Sequence, residues 1–531
     1  MHGFHGLVEV LLLLLAVTAI AGAARRYGLP GPILLVLAGV LASGVPGVPG
    51  YELDPGFVLV LVLPPLLYSA ALTSSLQGFR QYRRPIGLLS VGYVLFGTLL
   101  VGFAAHALVP GLPLATALVL GAVVAPPDAV AASAVARRMG LPRKIMTILE
   151  GESLVNDATA LTAYRVAVAA AVTGGFSLLE GAARFAWASA GGVAIGLLVA
   201  VVVVWVRRRL DDPVVENAVS LLTPFAAFLP AEEVGASGVL AVVVAGLLLG
   251  NRNPVVVGSA ARMQTAAVWR MVDFVLEGVV FALIGLQLPR VLEALADNGR
   301  SAGELALSAL AVVAVVVLGR FAWVFPATYL PPLLSRRVRA REGWPPWRGL
   351  VVVSWAGMRG VVSLAAAFAV PEVDEAGAPL PGRDLLLFLT FCVIAATLVV
   401  QGSTLAAVIR LVGVRQDPGQ DRLSAAAAVE TAASAALADL EEQLAREEEP
   451  LPPGVEERLR QVVEARRLRA WERLGRQDVE TPSAAYRRLR VRMLGVERRT
   501  LVRLRDEGRI PDELLHEALR ELDHEESLLT A

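Results

Sequence analysis

Apolar runs of about 20 residues recur from the start of the chain to about residue 410. Each is long enough to cross a roughly 30 Å hydrocarbon core as a helix. They predict thirteen helices, near 7–24, 31–46, 56–74, 86–109, 114–136, 145–173, 181–206, 214–231, 236–250, 268–289, 303–330, 349–371 and 384–410. The eighth run carries prolines and the ninth is short. Beyond residue 412 the pattern changes. Glu and Arg alternate with Leu, Ala and Val, which favours solvated helices. Pro450, Pro452, Pro453 and Gly454 break this tail into two helical stretches. A further helix is expected to start near Pro511, with Asp512 and Glu513 in its first turn, where the helix dipole favours acids. The expected fold class is an all-α polytopic membrane protein of residues 1–412 followed by a helical tail of residues 413–531.

Composition supports the membrane assignment: 56% of residues are hydrophobic and the mean hydropathy is +0.62. The net charge of zero hides a division between apolar spans and charged loops. Basic residues crowd the loops after odd-numbered spans, at Arg25 and Arg26, Arg80 to Arg84, Arg137 to Lys144, Arg207 to Arg209, Arg252 and Arg262, and Arg336 to Arg341. The even loops are poor in basic residues or acidic, with Glu52 and Asp54, Glu232 and Glu233, and Glu372 to Glu375; the loop near Arg290 and Arg300 is mixed. Positive loops stay inside. The alternation therefore places the N-terminus outside, the C-terminus and tail in the cytoplasm, and requires an odd number of spans. The first run lacks a basic n-region and a cleavage site, and reads as a retained span. Cys392 is the one thiol, so no intrachain disulfide forms.

Against this apolar background, residues 150–165 read EGESLVNDATALTAYR. A charge at the bilayer centre costs roughly 2.5–3.5 kcal/mol or more. Glu152 and Asn156 are four apart, as are Ser153 and Asp157, so all four are expected to face roughly one side of a helix. Hard oxygen donors grouped this way suit a small hard cation or a proton. Two spans look broken. The fifth contains VVAPPDAVA, where Pro126 and Pro127 remove backbone donors just before Asp128; the twelfth contains SWAGMRGVVS, with Gly357 and Gly360 around Arg359. Seven spans separate them, so they run in opposite directions. Interrupted helices in matching positions of inverted repeats point to a transporter's binding site.

LPPLLYSAAL at 63–72, APPDAVA at 125–131, GESLVNDATAL at 151–161, FVLEGVVFALIGLQL at 274–288 and GMRGVVSLA at 357–365 resemble the NhaP/NHE-type monovalent cation/proton antiporters. The stretch DEGRIPDELLHEALRELDHEESLL looks like the tails of some bacterial members. The resemblance implies thirteen helices in inverted repeats, a homodimer in the cell membrane, and alternating access exchanging Na⁺, or another alkali cation, for H⁺. It implies that Asp157 is the essential ion- and proton-binding carboxylate. Asp128 would be the acid of the unwound crossing helix, Asn156 the partner in an Asn-Asp pair, and Ser153 an ion ligand. Glu152 would form a buried ion pair with an arginine, either Arg320 or Arg359. Asn-Asp, rather than Asp-Asp, resembles the electroneutral group. In two places the chain departs from many members: Ser69 stands where they have glutamate, and Pro127 where they have threonine. A site with one fewer carboxylate and one fewer hydroxyl is expected, which bears on cation selectivity.

Asp128, Glu152 and Asp157 supply three negative charges, and Arg320 and Arg359 two positive ones, leaving one carboxylate without a fixed partner. Proton and cation then compete for the same oxygens, and exchange follows without ATP. The expected partners are Na⁺, H⁺, the lipid bilayer and a second copy, with no cofactor, nucleic acid or enzymatic activity. Glu150 is expected to be neutralised by Arg143 or Lys144, and Glu277 to be structural or part of a water path. Tyr68, Trp187 and Trp205 fit packing or interfacial anchoring. The alternatives are a K⁺/H⁺ antiporter of the same fold, a proton-coupled organic-solute carrier, a cation channel and an intramembrane aspartyl hydrolase. A channel lacks support in a carbonyl-rich filter motif. A hydrolase dyad of Asp128 and Asp157 leaves Asn156 and two arginines without a task.

Overall fold

A computed structural model describes residues 2–27, 31–45, 58–173, 178–297, 301–416, 418–446, 452–472 and 480–530. The loop acids Glu52 and Asp54 lie outside them, as does the mixed-loop Arg300. The chain divides into two compact units, Met1–Gln416 and Asp417–Ala531.

The first unit is helical. Its helices are α1 (His2–Tyr27), α2 (Gly31–Ser43), α3 (Leu63–Thr73), α4 (Val94–Leu108), α5 (Leu114–Val124), α6 (Ala129–Arg138), α7 (Arg143–Thr173) and α8 (Leu178–Arg207). There follow α9 (Pro213–Glu233), α10 (Gly238–Val256), α11 (Ser259–Asp297), α12 (Ala302–Leu334), α13 (Trp347–Trp355), α14 (Val361–Phe368), α15 (Arg383–Ala396) and α16 (Gly402–Val412). The fifth and twelfth apolar runs are each two helices with a break between them, α5/α6 and α13/α14. The ninth run, short in the sequence, continues as helix to Val256. The eighth keeps its helix through Pro224 and Pro230.

Among the described residues seven helical stretches are long and apolar enough to cross a membrane, and four shorter ones are equally apolar. α7 and α11 are not among the stretches that meet this test; they carry Glu150, Glu152 and Asp157, and Asp273 and Glu277, respectively. These same residues line or flank the site described below. The tail segment Arg422–Arg446 passes it with a mean hydropathy of 1.2. Its apolar residues are chiefly alanines, which bury little area. Glu430 in its middle accepts from Trp471 Nε1 at 2.9 Å and pairs with Arg467 at 3.5 Å. We read it as a solvated helix of the second unit.

The outer surface is apolar, as a lipid-facing one must be. α8 exposes Leu197, Leu198 and Val201 between Trp187 and Trp205. These tryptophans are 18 positions apart, roughly 27 Å along a helix, close to one hydrocarbon thickness. Tyr68 belongs instead to the interior, fully buried with its ring 5.2 Å from that of Trp269. Close helix contact depends on small residues. A Cβ on Gly39 of α2 would lie 2.4 Å from the Ala282 carbonyl oxygen of α11, and one on Gly285 of α11 would lie 2.1 Å from that of Val36.

The second unit contains α17 (Pro418–Arg446), α18 (Val455–Glu472), α19 (Pro482–Asp506) and α20 (Asp512–Thr530). α17 packs on α18 and α19 on α20. Arg490 clamps Glu525 by donating from Nε and Nη2, both at 2.6 Å, and its Nη1 donates to Glu497 at 2.7 Å.

Candidate ion-binding site

The two broken helices meet at their breaks. α5 stops at the Pro126–Pro127 pair, and α6 resumes after Asp128; α13 ends at Trp355, and α14 resumes at Val361. Each break frees backbone groups that would be costly if left unpaired in a membrane. The crossing satisfies several of them mutually. The Asp128 amide donates to the Met358 carbonyl at 2.7 Å. The Arg359 guanidinium donates to the carbonyls of Val124 at 2.8 Å and Ala125 at 3.3 Å, and to that of Gly357. The glycines flanking Arg359 are required by space. A Cβ at Gly357 would lie 2.4 Å from Arg320 Cδ, and one at Gly360 would lie 1.8 Å from Asp128 Oδ2.

Arg359 is fully buried, and two π-helical turns hold it. Tyr93, at the end of the turn Leu88–Tyr93, accepts Arg359 Nη2 at 2.7 Å. Thr397, in the turn Thr397–Gln401, accepts the Arg359 amide at 3.1 Å. Such turns often mark functional positions. Neither residue carried a signal in the apolar pattern. The assumption that Arg359 offsets a carboxylate directly needs correction: its side-chain hydrogen bonds go to the Tyr93 hydroxyl and to carbonyl dipoles left by the breaks.

The other arginine takes the ion pair. Arg320 of α12 binds Glu152 of α7 bidentately, at 2.7 and 2.8 Å, with both side chains 1% exposed. Its Nε donates to the Val353 carbonyl at 3.1 Å, and its guanidinium lies 5.1 Å from the centre of the Tyr93 ring. The sequence left open which arginine meets Glu152; the packing of α12 beside α13 decides it.

α7 does not present its four polar residues on one face. Adjacent positions differ by about 100° around a helix, and the structure divides them accordingly. Ser153 and Asp157 line a cavity of 690 Å³ together with Asp128. Glu152 turns to Arg320. Asn156, fully buried, donates to the Pro127 carbonyl at 2.7 Å, holding α7 to the unwound segment. Its Oδ1 has no hydrogen-bond partner. Asn156 is not among the cavity's lining residues, and among the described residues no hydrogen bond or ion pair reaches Asp157. The missing threonine hydroxyl at Pro127 is thus matched by a carbonyl already committed to Asn156.

Along the cavity wall toward the ends of α6, α8 and α10 stand Arg137, Glu150, Arg207 and Asn253. Glu150 pairs with Arg137 at 3.0 Å rather than with Arg143 or Lys144. Arg137 also donates to Ser133 at 3.0 Å. Arg207, buried, donates to Asn253 at 3.0 Å. Across from α7, Glu277 and Asp273 of α11 complete the wall. Ser69 of α3 donates to Asp273 Oδ2 at 2.6 Å. The expectation of one fewer carboxylate is therefore only partly met. α3 contributes none, but α11 contributes Asp273, a residue whose position inside the tenth apolar run could have flagged it.

Comparison with known proteins agrees with this geometry. The family model "Sodium/hydrogen exchanger, transmembrane" matches residues 12–411. An uncharacterised Na⁺/H⁺ exchanger of Mycobacterium tuberculosis is 35% identical over 98% of this chain and 96% of its own. A sodium, potassium, lithium and rubidium/H⁺ antiporter of Bacillus subtilis is 34% identical over 74% of this chain and 60% of its own. The solved sodium proton antiporter MjNhaP1 of Methanocaldococcus jannaschii at pH 8 shares the fold. Its TM-score is 0.62 at 18% identity, and it covers 78% of this chain and all of its own. The chain belongs to the transmembrane sodium/hydrogen exchanger family, and it is a multi-pass membrane antiporter rather than an enzyme.

Proposed function

We propose that Asp157, Asp128 and Ser153 form the site at which one monovalent cation and one proton are bound in turn, by alternating access. The observation that carries this reading is that these three residues line one cavity, while Glu152 is closed off in its pair with Arg320. The pair fixes α7 against α12. At Asp157, which no hydrogen bond or ion pair reaches among the described residues, a cation or a proton supplies the opposite charge. Asn156 adds hydrogen bonding without charge. That favours one-for-one, electroneutral exchange.

The basic loops put the ends of α6, α8 and α10 in the cytoplasm, with thirteen crossings, the N-terminus outside and the tail of residues 413–531 inside. The cavity, lined at that end by the exposed Arg137 and Arg262, is then the cytoplasmic access path. A homodimer rests on the family resemblance. Na⁺ is the leading substrate. The cation range in the name of the Bacillus subtilis relative supports including Li⁺ and K⁺. The test is cation-induced recovery of a pH dye in proteoliposomes across Li⁺, Na⁺, K⁺ and Rb⁺. Exchange confined to a proton gradient supports antiport, and ion flux without proton movement overturns it.

A further inference from the structure

Asp273 is a carboxylate that the mechanism above does not use. It lies on the cavity wall formed by α11, which packs against α3, and shares the cavity with Ser153, Asp157 and Asp128. One of its oxygens is held: Ser69, itself buried, donates to Oδ2 at 2.6 Å. The other is not. Asp273 Oδ1 is enclosed by protein and has no hydrogen-bond partner. Arg207, Arg262 and Arg270 also line the cavity, yet none forms an ion pair with Asp273 among the described residues. A carboxylate oriented by one hydrogen bond and otherwise uncompensated in a low-dielectric wall attracts a counter-ion. Its donors, carboxylate and hydroxyl oxygen, are hard, and so match an alkali cation.

We propose that Asp273, oriented by Ser69, is a selectivity residue on the cation path, binding a partly hydrated alkali cation before it reaches Asp157. The proposal rests on the cavity being the transport path. A charge at this position concentrates cations along the wall and requires each to exchange water for carboxylate oxygen. Both effects act on apparent affinity and on the choice among Li⁺, Na⁺ and K⁺ more than on the turnover of the loaded site. A purely mechanical role, a hydrogen bond tying α3 to α11, would affect stability instead, and asparagine can still accept from Ser69.

The test measures exchange by Asp273→Asn, Asp273→Glu, Ser69→Ala and Asp157→Asn in proteoliposomes, with thermal stability in detergent measured alongside. Asp273→Asn should raise the apparent KM for Na⁺ by about tenfold, more than it lowers Vmax, and change the Li⁺:Na⁺:K⁺ ratio. Ser69→Ala should move both in the same direction to a smaller extent, and Asp273→Glu should recover most of the affinity. Unchanged KM and selectivity in Asp273→Asn overturn the proposal, as does a glutamate variant as impaired as the asparagine one. If Asp273→Asn fails to fold, Ser69→Ala decides: unchanged KM and selectivity overturn the proposal. Exchange persisting in Asp157→Asn refutes the site reading instead, so the two failures are distinguishable.

Discussion

Glu152 and Asp157 are carboxylates on the same helix, yet their neighbours give them opposite tasks. Glu152 meets both outer nitrogens of Arg320 and is closed to the cavity, whereas Asp157 faces it. Asp157→Asn keeps the side chain's shape and removes its titratable charge. It should abolish sodium-driven proton flux in proteoliposomes while leaving a folded, inserted protein. Glu152→Gln leaves the Arg320 charge unmatched in the interior, at a cost of about 3–5 kcal/mol. It should lower the melting temperature in detergent more than Asp157→Asn does. Equal melting of the two variants would refute the structural assignment of the pair. At this scale the sequence identified Glu152, Asp157, Asp128, Arg320 and Arg359, because a charged residue in an apolar run stands out. Which charge faces which was not legible. Neither were Tyr93 and Thr397, whose types are ordinary in membrane helices.

The elements that matter most are the two breaks, and their glycines carry a steric prediction. Gly360→Ala would place a methyl group where the Asp128 carboxylate sits, 1.8 Å from its oxygen. It should eliminate exchange, while Gly22→Ala in α1, which meets nothing within 4 Å, should leave exchange intact. Flux through both variants at matched expression is the check. In the tail, the pairing of α19 with α20 depends on charge. The Arg490 guanidinium holds Glu525 below the ordinary glutamate range. A lowered carboxylate pKa contributes stability at neutral pH, and the contribution is lost as pH falls through the folded-state value. Hydrogen exchange over 512–530, corrected for intrinsic rates, should therefore rise on acidification of the wild type. Glu525→Gln should show that rise already at neutral pH. Proline pairs and a Gly-x-x-Gly motif made the breaks legible. The π-helical turns beside them were not, since they answer to packing rather than to local sequence.

For the whole molecule the prediction concerns charge. A single cation entering as a single proton leaves moves no net charge. A membrane potential of 100 mV, worth about 2.3 kcal/mol per charge carried, should then leave the initial exchange rate unchanged at a fixed sodium gradient. A valinomycin-set potential in proteoliposomes provides the measurement. A several-fold change in rate, with proton leak controlled, would exclude one-for-one exchange.

The sequence by itself determined that this is a polytopic helical membrane protein with a charged helical tail. It also marked two helices as interrupted and one as carrying several charges. These properties follow from hydropathy, proline and glycine chemistry and the cost of an intramembrane charge, all of which are local. Tertiary structure alone decided that Arg320, not Arg359, closes on Glu152, and that Arg359 bonds to the carbonyls of both breaks. It alone turned Asn156 toward Pro127 and brought Asp273 on α11 to Ser69 on α3, 204 positions away in the chain. The physical reason is rotation and register. A shift of one residue turns a helical side chain by about 100°, and only contact with neighbouring helices fixes which way each face points.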